Sequence, residues 1–133
     1  MKEYDELLKK LHEDHPIDDM VKFNELNIHE ELQNNDWQTV KYRDLYHKEL
    51  DTLERLNELL EKTLGERYKY YRFDCDETWT KPEIENFALP QDKKVRKVKK
   101  LIQIQQAKVR FFNMCWRAFE SRKWSMNNFL KTL

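Results

Sequence analysis

The stretch DKKVRKVKKLIQIQQAKVRFFNMCWRAFESRKWSMNNFLKTL, Asp92 to Leu133, decides the fold. Large or apolar side chains recur at Val95, Val98, Ile102, Gln105, Val109, Phe112, Trp116 and Phe119. The steps alternate three and four, the spacing of a heptad seam interrupted only at Gln105. A second seam runs beside it through Leu101, Ile104, Lys108, Phe111, Cys115 and Ala118. Two adjacent seams imply burial on more than one side, because a helix wet along one face needs only one stripe. The stretch is also basic. Lys93–Leu133 holds twelve Lys and Arg against one acid, Glu120, a net +11. One helix is expected both to build a bundle and to carry a positive surface.

Residues 1–92 balance that charge, with 13 basic and 24 acidic side chains. The asymmetry predicts either an anionic partner for the basic end or head-to-tail association of copies. Gly65 is the only glycine. Hairpins, glycine-rich phosphate loops and dinucleotide-binding turns, which need positive φ or close backbone approach, are therefore excluded. The 133 residues fit one all-α domain of long helices. Within it, residues 1–91 form acidic N-terminal helices, a basic–aromatic segment and a connection, and residues 92–133 the basic helical part. Met1 to Lys10 is charged and periodic, unlike a secretory signal. No apolar run approaches a membrane span. Cys75 and Cys115 share no ligand spacing and read as reduced thiols.

In chain order, Tyr4, Leu7, Leu8 and Leu11 make a short amphipathic helix that Pro16 stops. His12 and His15 share a helical face, but their spacing is not that of a metalloprotease, and they read as a solvated terminus. Asp18 or Asp19 can cap a second helix through Val21, Leu26, Ile28 and Leu32. Asn34-Asn35-Asp36 either breaks that helix or is a polar patch on a longer one. From Trp37 the pattern strengthens. Tyr46, Leu50, Leu53, Asn57, Leu60, Leu64, Arg67 and Tyr71 alternate by four and three. Asn57 on the seam either fixes register or is a partly wet residue. Gly65 lies late in this helix, and the seam continuing to Tyr71 favours an interior position. Helices are expected over about Trp37–Leu64 and Lys93–Ala118, packed as a helical hairpin or coiled-coil-like bundle. Leu50, Leu53, Leu60, Val98, Ile102, Val109, Phe112, Trp116 and Phe119 are its expected core and oligomerisation residues.

The segment Arg67-Tyr68-Lys69-Tyr70-Tyr71-Arg72-Phe73 interleaves cations and rings. Single-stranded nucleic acid calls for that mixture, cations for phosphates and flat rings for unpaired bases. Some of the rings, Tyr71 especially, equally suit a core. Asp74-Cys75-Asp76-Glu77, with Trp79, Pro82 and Pro90, reads as the one long irregular connection, and its acids lack calcium-loop spacing. Asp92 can then cap the basic helix. Arg122-Lys123-Trp124 reads as a kink or the start of a short final helix.

The order of Arg67, Tyr70, Tyr71, Asp92, Lys93, Gln106, Val109, Phe112, Arg122 and Trp124 resembles the UvsY family, recombination mediators of T4-like bacteriophages. The resemblance is good from about Leu60 to Leu133. It implies a non-enzymatic all-α protein, without cofactor or metal, that assembles into a hexameric or heptameric homo-oligomeric ring. It implies binding of single-stranded DNA, and help for a phage RecA-like recombinase in replacing the phage single-strand-binding protein, in the cytoplasm of the infected host. Arg67 matches the family's basic residue before the Tyr-Tyr pair. Many relatives carry another basic residue where this chain has Gly65, and a glycine where it has Phe73 and Asp74. The expected DNA-binding residues are Arg67, Tyr68, Lys69, Tyr70, Tyr71 and Arg72, helped by Lys93, Lys94 and Lys97. The rival reading is a coiled-coil assembly protein without DNA binding. An enzyme is a distant third, because no nucleotide loop or nucleophile–base spacing is present.

Overall fold

A computed structural model describes residues 2–133, and the described residues are helical with no strand. Helix α1 is Lys2–Asp14, α2 is Ile17–Met20, and a 3-10 turn spans Glu25–Asn27. The first long helix, α3, runs Ile28–Lys69 and ends in a π-helical turn, Tyr70–Asp74. Short pieces follow: α4 Lys81–Glu83, a π-helical turn Ile84–Ala88, and α5 Leu89–Gln91. The second long helix, α6, is Lys93–Lys131. The chain divides into two compact units, residues 1–50 with 107–133, and residues 51–106. That division cuts both long helices and does not follow the charge boundary at residue 92.

Three expectations about the elements change, and one open alternative, at Asn34-Asn35-Asp36, resolves in favour of a longer helix. The helix expected to be capped by Asp18 or Asp19 is a single turn, with both acids inside it and Pro16 at its cap position. The chain breaks there, and Asn24 restarts it by accepting the Leu26 amide at 3.0 Å. Asn34-Asn35-Asp36 lies inside α3 and does not end it. The connection expected to be irregular is helical from Lys81 to Gln91. Thr80 starts it with a capping box, accepting the Glu83 amide at 3.4 Å while its own amide donates to the Glu83 carboxylate at 3.3 Å. No kink falls at Arg122, and α6 is continuous past buried Met126.

In the first unit the core is Leu11, Ile17, Tyr42, Phe111, Phe112, Cys115 and Phe119. Tyr42 stacks on Phe119 with ring centres 5.4 Å apart, and Asn35 meets the carbonyl of the same Phe119. Tyr42 also reaches Phe112, one step back along α6, so the two helices run antiparallel here. Each buried ring contributes roughly 2–3 kcal/mol. Both seams are covered in this unit: Phe112 and Phe119 on the first, Phe111 and Cys115 on the second. α1 provides the second cover, with the His12 ring edge-on to Phe111 at 5.0 Å. His15 is no solvated terminus. Its Nδ1 shares a 2.8 Å hydrogen bond with the Tyr42 hydroxyl. Burial and then Lys41 push the imidazole below its usual range, against a smaller upward pull from Asp14. Burial raises both Tyr42 and the Cys115 thiol to about 12.

The polar centre of this unit is Arg122, whose side chain is 2 % exposed. Its Nε donates to the Val21 carbonyl at 3.0 Å, and Nη1 donates to Asn35 Oδ1 at 3.1 Å. Nη2 donates to the Lys22 carbonyl at 3.1 Å and pairs with Glu31. Asn35, itself fully buried, donates to the Phe119 carbonyl at 3.0 Å. The carbonyls at the break after α2 thus find their donor on α6.

In the second unit Val95, Val98, Ile102 and Gln105 are buried along the first seam, and Ile84 is fully buried beneath the connection. On the second seam here, Leu101 is 43 % exposed and Ile104 half-buried. Asn57 is exposed. α3 runs straight through Gly65, and a Cβ built there would meet nothing within 4 Å. A helix-interior glycine costs about 1 kcal/mol relative to alanine. Gly65→Ala is therefore expected to raise stability by about that amount, a rise of a few degrees in a thermal melt. A lower melting temperature would mean that the glycine holds a conformation alanine cannot take.

Candidate nucleic-acid interface

The basic–aromatic segment lies where α3 stops. The last turn widens: the Cys75 amide donates back to the Tyr70 carbonyl at 2.8 Å, a π-type closure, and Cys75 itself is extended. No described residue has positive φ, so Phe73 and Asp74 take this turn without a left-handed residue. The turn presents successive rings differently. Tyr70 is 39 % exposed, and Tyr71 is half-buried, edge-on to Trp79 at 5.9 Å.

Asp92 organises these side chains. Its Oδ2 accepts Arg67 Nε at 2.8 Å and the Tyr71 hydroxyl at 2.7 Å. Its Oδ1 accepts the amides of Lys94 at 2.9 Å and Val95 at 3.1 Å, capping α6. One carboxylate, 3 % exposed, thereby joins the end of α3 to the start of α6. Burial alone would raise its pKa. Hydrogen bonds from Tyr71, Arg67 and the Val95 amide, together with the Arg67 charge, overcome that and hold it below its usual range. Arg67 is raised chiefly by its hydrogen bond to Asp92. Tyr71 is raised by burial first and then by that same acceptor. The Arg67 guanidinium also lies over the Tyr70 ring, 4.2 Å from its centre.

The expected site residues fall into two groups. Arg67, Tyr70 and Tyr71 are brought together around Asp92, with Arg67 and Tyr71 half-buried. Lys69, Arg72, Lys93, Lys94 and Lys97 are exposed, and Tyr68 is half-buried. Arg72 Nη1 donates to the Trp79 carbonyl at 3.2 Å. Among the expected core residues, Val98, Ile102, Phe112 and Phe119 are buried, whereas Leu50, Leu53, Leu60, Val109 and Trp116 are half-buried. Sequence reading placed Asp92 only as a cap. Its second oxygen serves residues 25 and 21 positions away, which no local pattern signals. The role of Trp79 as the wall behind Tyr71 was likewise missed.

The family described as "Recombination, repair and ssDNA binding protein UvsY" matches residues 10–132. Two crystal structures of the bacteriophage T4 recombination mediator protein UvsY share the fold. Lattice type I is 22 % identical, covering 92 % of this chain and 96 % of that one with a TM-score of 0.78. Lattice type II is 23 % identical, covering 94 % and 93 % with a TM-score of 0.79. No curated protein matches the chain.

Proposed function

We propose a mediator of phage recombination, because this chain belongs to the UvsY family. In this reading it binds single-stranded DNA through Lys69, Tyr70 and Arg72, with Arg67 and Tyr71 setting the platform. Tyr68 and Lys93, Lys94 and Lys97 at the head of α6 assist. It assembles into a homo-oligomeric ring and helps a RecA-like phage recombinase replace the single-strand-binding protein in the host cytoplasm. No enzymatic step, cofactor or metal is involved. No described helix is long and apolar enough to cross a membrane.

One observation carries the reading. On a single turn an exposed ring, Tyr70, lies under a guanidinium and between exposed Lys69 and Arg72. A ring backed by cations can stack an unpaired base while its neighbours neutralise phosphate, at roughly 1–3 kcal/mol per stacked base. Nothing in the segment resembles a set of side chains that reads base edges, so single strands should be favoured over duplex with little base preference. Assembly multiplies weak sites through effective concentration. Leu59 and Leu101, each more than 40 % exposed, are apolar residues available to it.

Oligo(dT) affinity measured at three salt concentrations tests this, with sedimentation on the same samples. Arg72→Ala is expected to weaken binding and flatten the salt dependence by about one phosphate contact per subunit engaged. Tyr70→Ala is expected to weaken binding with the salt slope nearly unchanged. If both variants bind like wild type, the DNA site lies elsewhere. If wild type binds at no salt concentration, the chain is an assembly protein.

A further inference from the structure

The connection between the long helices carries a second surface, unlike the first. Phe73 is 76 % exposed and Phe87 is 60 % exposed. Each sits on a π-helical turn, Tyr70–Asp74 and Ile84–Ala88, and these two turns pack against each other. Phe87 points outward because Ile84 and Ala88 take the buried side of its turn. A single exposed ring is ordinary, but two on neighbouring turns make a patch. Around them the charge is negative. From Phe73 to Gln91 there are five carboxylates, on Asp74, Asp76, Glu77, Glu83 and Glu85, against Lys81 alone. All five residues are exposed. Phosphate would be repelled here, so these rings do not extend the DNA platform of Lys69, Tyr70 and Arg72.

We infer that this acidic–aromatic patch is a protein docking surface, and that it receives the recombinase. The inference rests on the mediator reading above. Two apolar rings framed by carboxylates fit an apolar pocket rimmed by Lys and Arg, and a protein that binds DNA must expose such cations. Position selects the recombinase over the protein it displaces. Phe73 shares one π-helical turn with Tyr70 and Arg72, so a protein seated on the patch lies beside the DNA held there. Loading needs that adjacency, whereas a protein being removed does not. The one turn therefore presents DNA and its recipient together.

The test uses the full chain and the purified phage recombinase, without DNA or nucleotide. Phe87→Ser and Glu85→Lys lie off the DNA segment and on exposed positions, so folding should survive, as a melt will show. Wild type is expected to bind the recombinase, more weakly as salt rises. Each variant should bind it about ten-fold more weakly or worse, as for a ring or charge at the centre of an interface. Oligo(dT) affinity should be unchanged in both. Wild-type recombinase affinity in both variants overturns the proposal. So does loss of binding to the single-strand-binding protein with recombinase binding kept, or a fall in sedimentation mass, which would make a second copy the occupant. Should wild type fail to bind oligo(dT) while the variants still lose the recombinase, the mediator reading fails and the docking surface stands.

Discussion

Arg122→Ala is expected to cost about 3–5 kcal/mol, the usual consequence of removing one partner from a buried, hydrogen-bonded ion pair. The guanidinium serves four acceptors at once: the Val21 and Lys22 carbonyls, Asn35 Oδ1 and the Glu31 carboxylate. Alanine leaves all four without that donor. The two backbone carbonyls lie at the break between α2 and the 3-10 turn, outside any helical ladder of amide donors. Asn35 is fully buried, so water cannot readily replace the lost donor there. The expected fall in melting temperature is roughly 10–20 °C. Arg122→Lys separates charge from geometry. An ammonium keeps the charge beside Glu31 but lacks the planar fork that reaches the others. It should recover only part of the loss. If Arg122→Ala melts within a degree or two of wild type, the network is incidental to stability.

The parts of the fold legible in the sequence are those governed by period. The three–four spacing from Val95 to Phe119 marked positions that are all buried or half-buried, though α6 continues to Lys131 beyond it. The seam through Gly65 to Tyr71 marked a helix that continues to Lys69. Period failed where burial depends on a partner elsewhere in the chain. Leu101 and Phe111 lie on the same second stripe, yet Leu101 is exposed while Phe111 is covered by His12 of α1. Trp37 opens the strong part of the α3 pattern but is 62 % exposed, while Tyr42, absent from the expected seam, is completely buried. Polar residues were least legible. Asn35 read as part of a helix break or of a polar patch on a longer helix, because its partners, Phe119 and Arg122, lie 84 and 87 residues away. The segment proposed to bind DNA was readable as a mixture of cations and rings. Which ring faces solvent was not, because a π-helical turn shifts the facing that a regular helix would predict.

Asp92→Ala should be the most damaging change in the second unit, and its effect should depend on pH in a defined direction. The substitution removes the N-cap of α6, costing about 1 kcal/mol. It also removes the partner of Arg67, whose side chain is 20 % exposed, and the acceptor of the Tyr71 hydroxyl. Breaking a pair of this burial costs about 3 kcal/mol, toward the low end of the range because Arg67 retains some water. The sign of the pH effect follows from the carboxyl, which the fold holds below its ordinary 3.8. Such a group contributes stability above the unfolded value and loses it as pH falls through the folded one. The gap in melting temperature between wild type and Asp92→Ala should therefore stay constant from pH 7 to about pH 4 and close below that. Asp92→Asn divides the loss further. It keeps an oxygen for the α6 amides but no charge for Arg67, so it should fall between the two and show no closing of its own. DNA binding should respond as well. Without Asp92, Arg67 and Tyr71 lose the acceptor that fixes them, and the support behind Tyr70 loosens. Affinity for oligo(dT) should then drop in the folded variant while the salt slope changes little, since no phosphate-neutralising cation has been removed. If the gap instead persists unchanged at pH 3, the Asp92 carboxylate is not what ties the end of α3 to the start of α6.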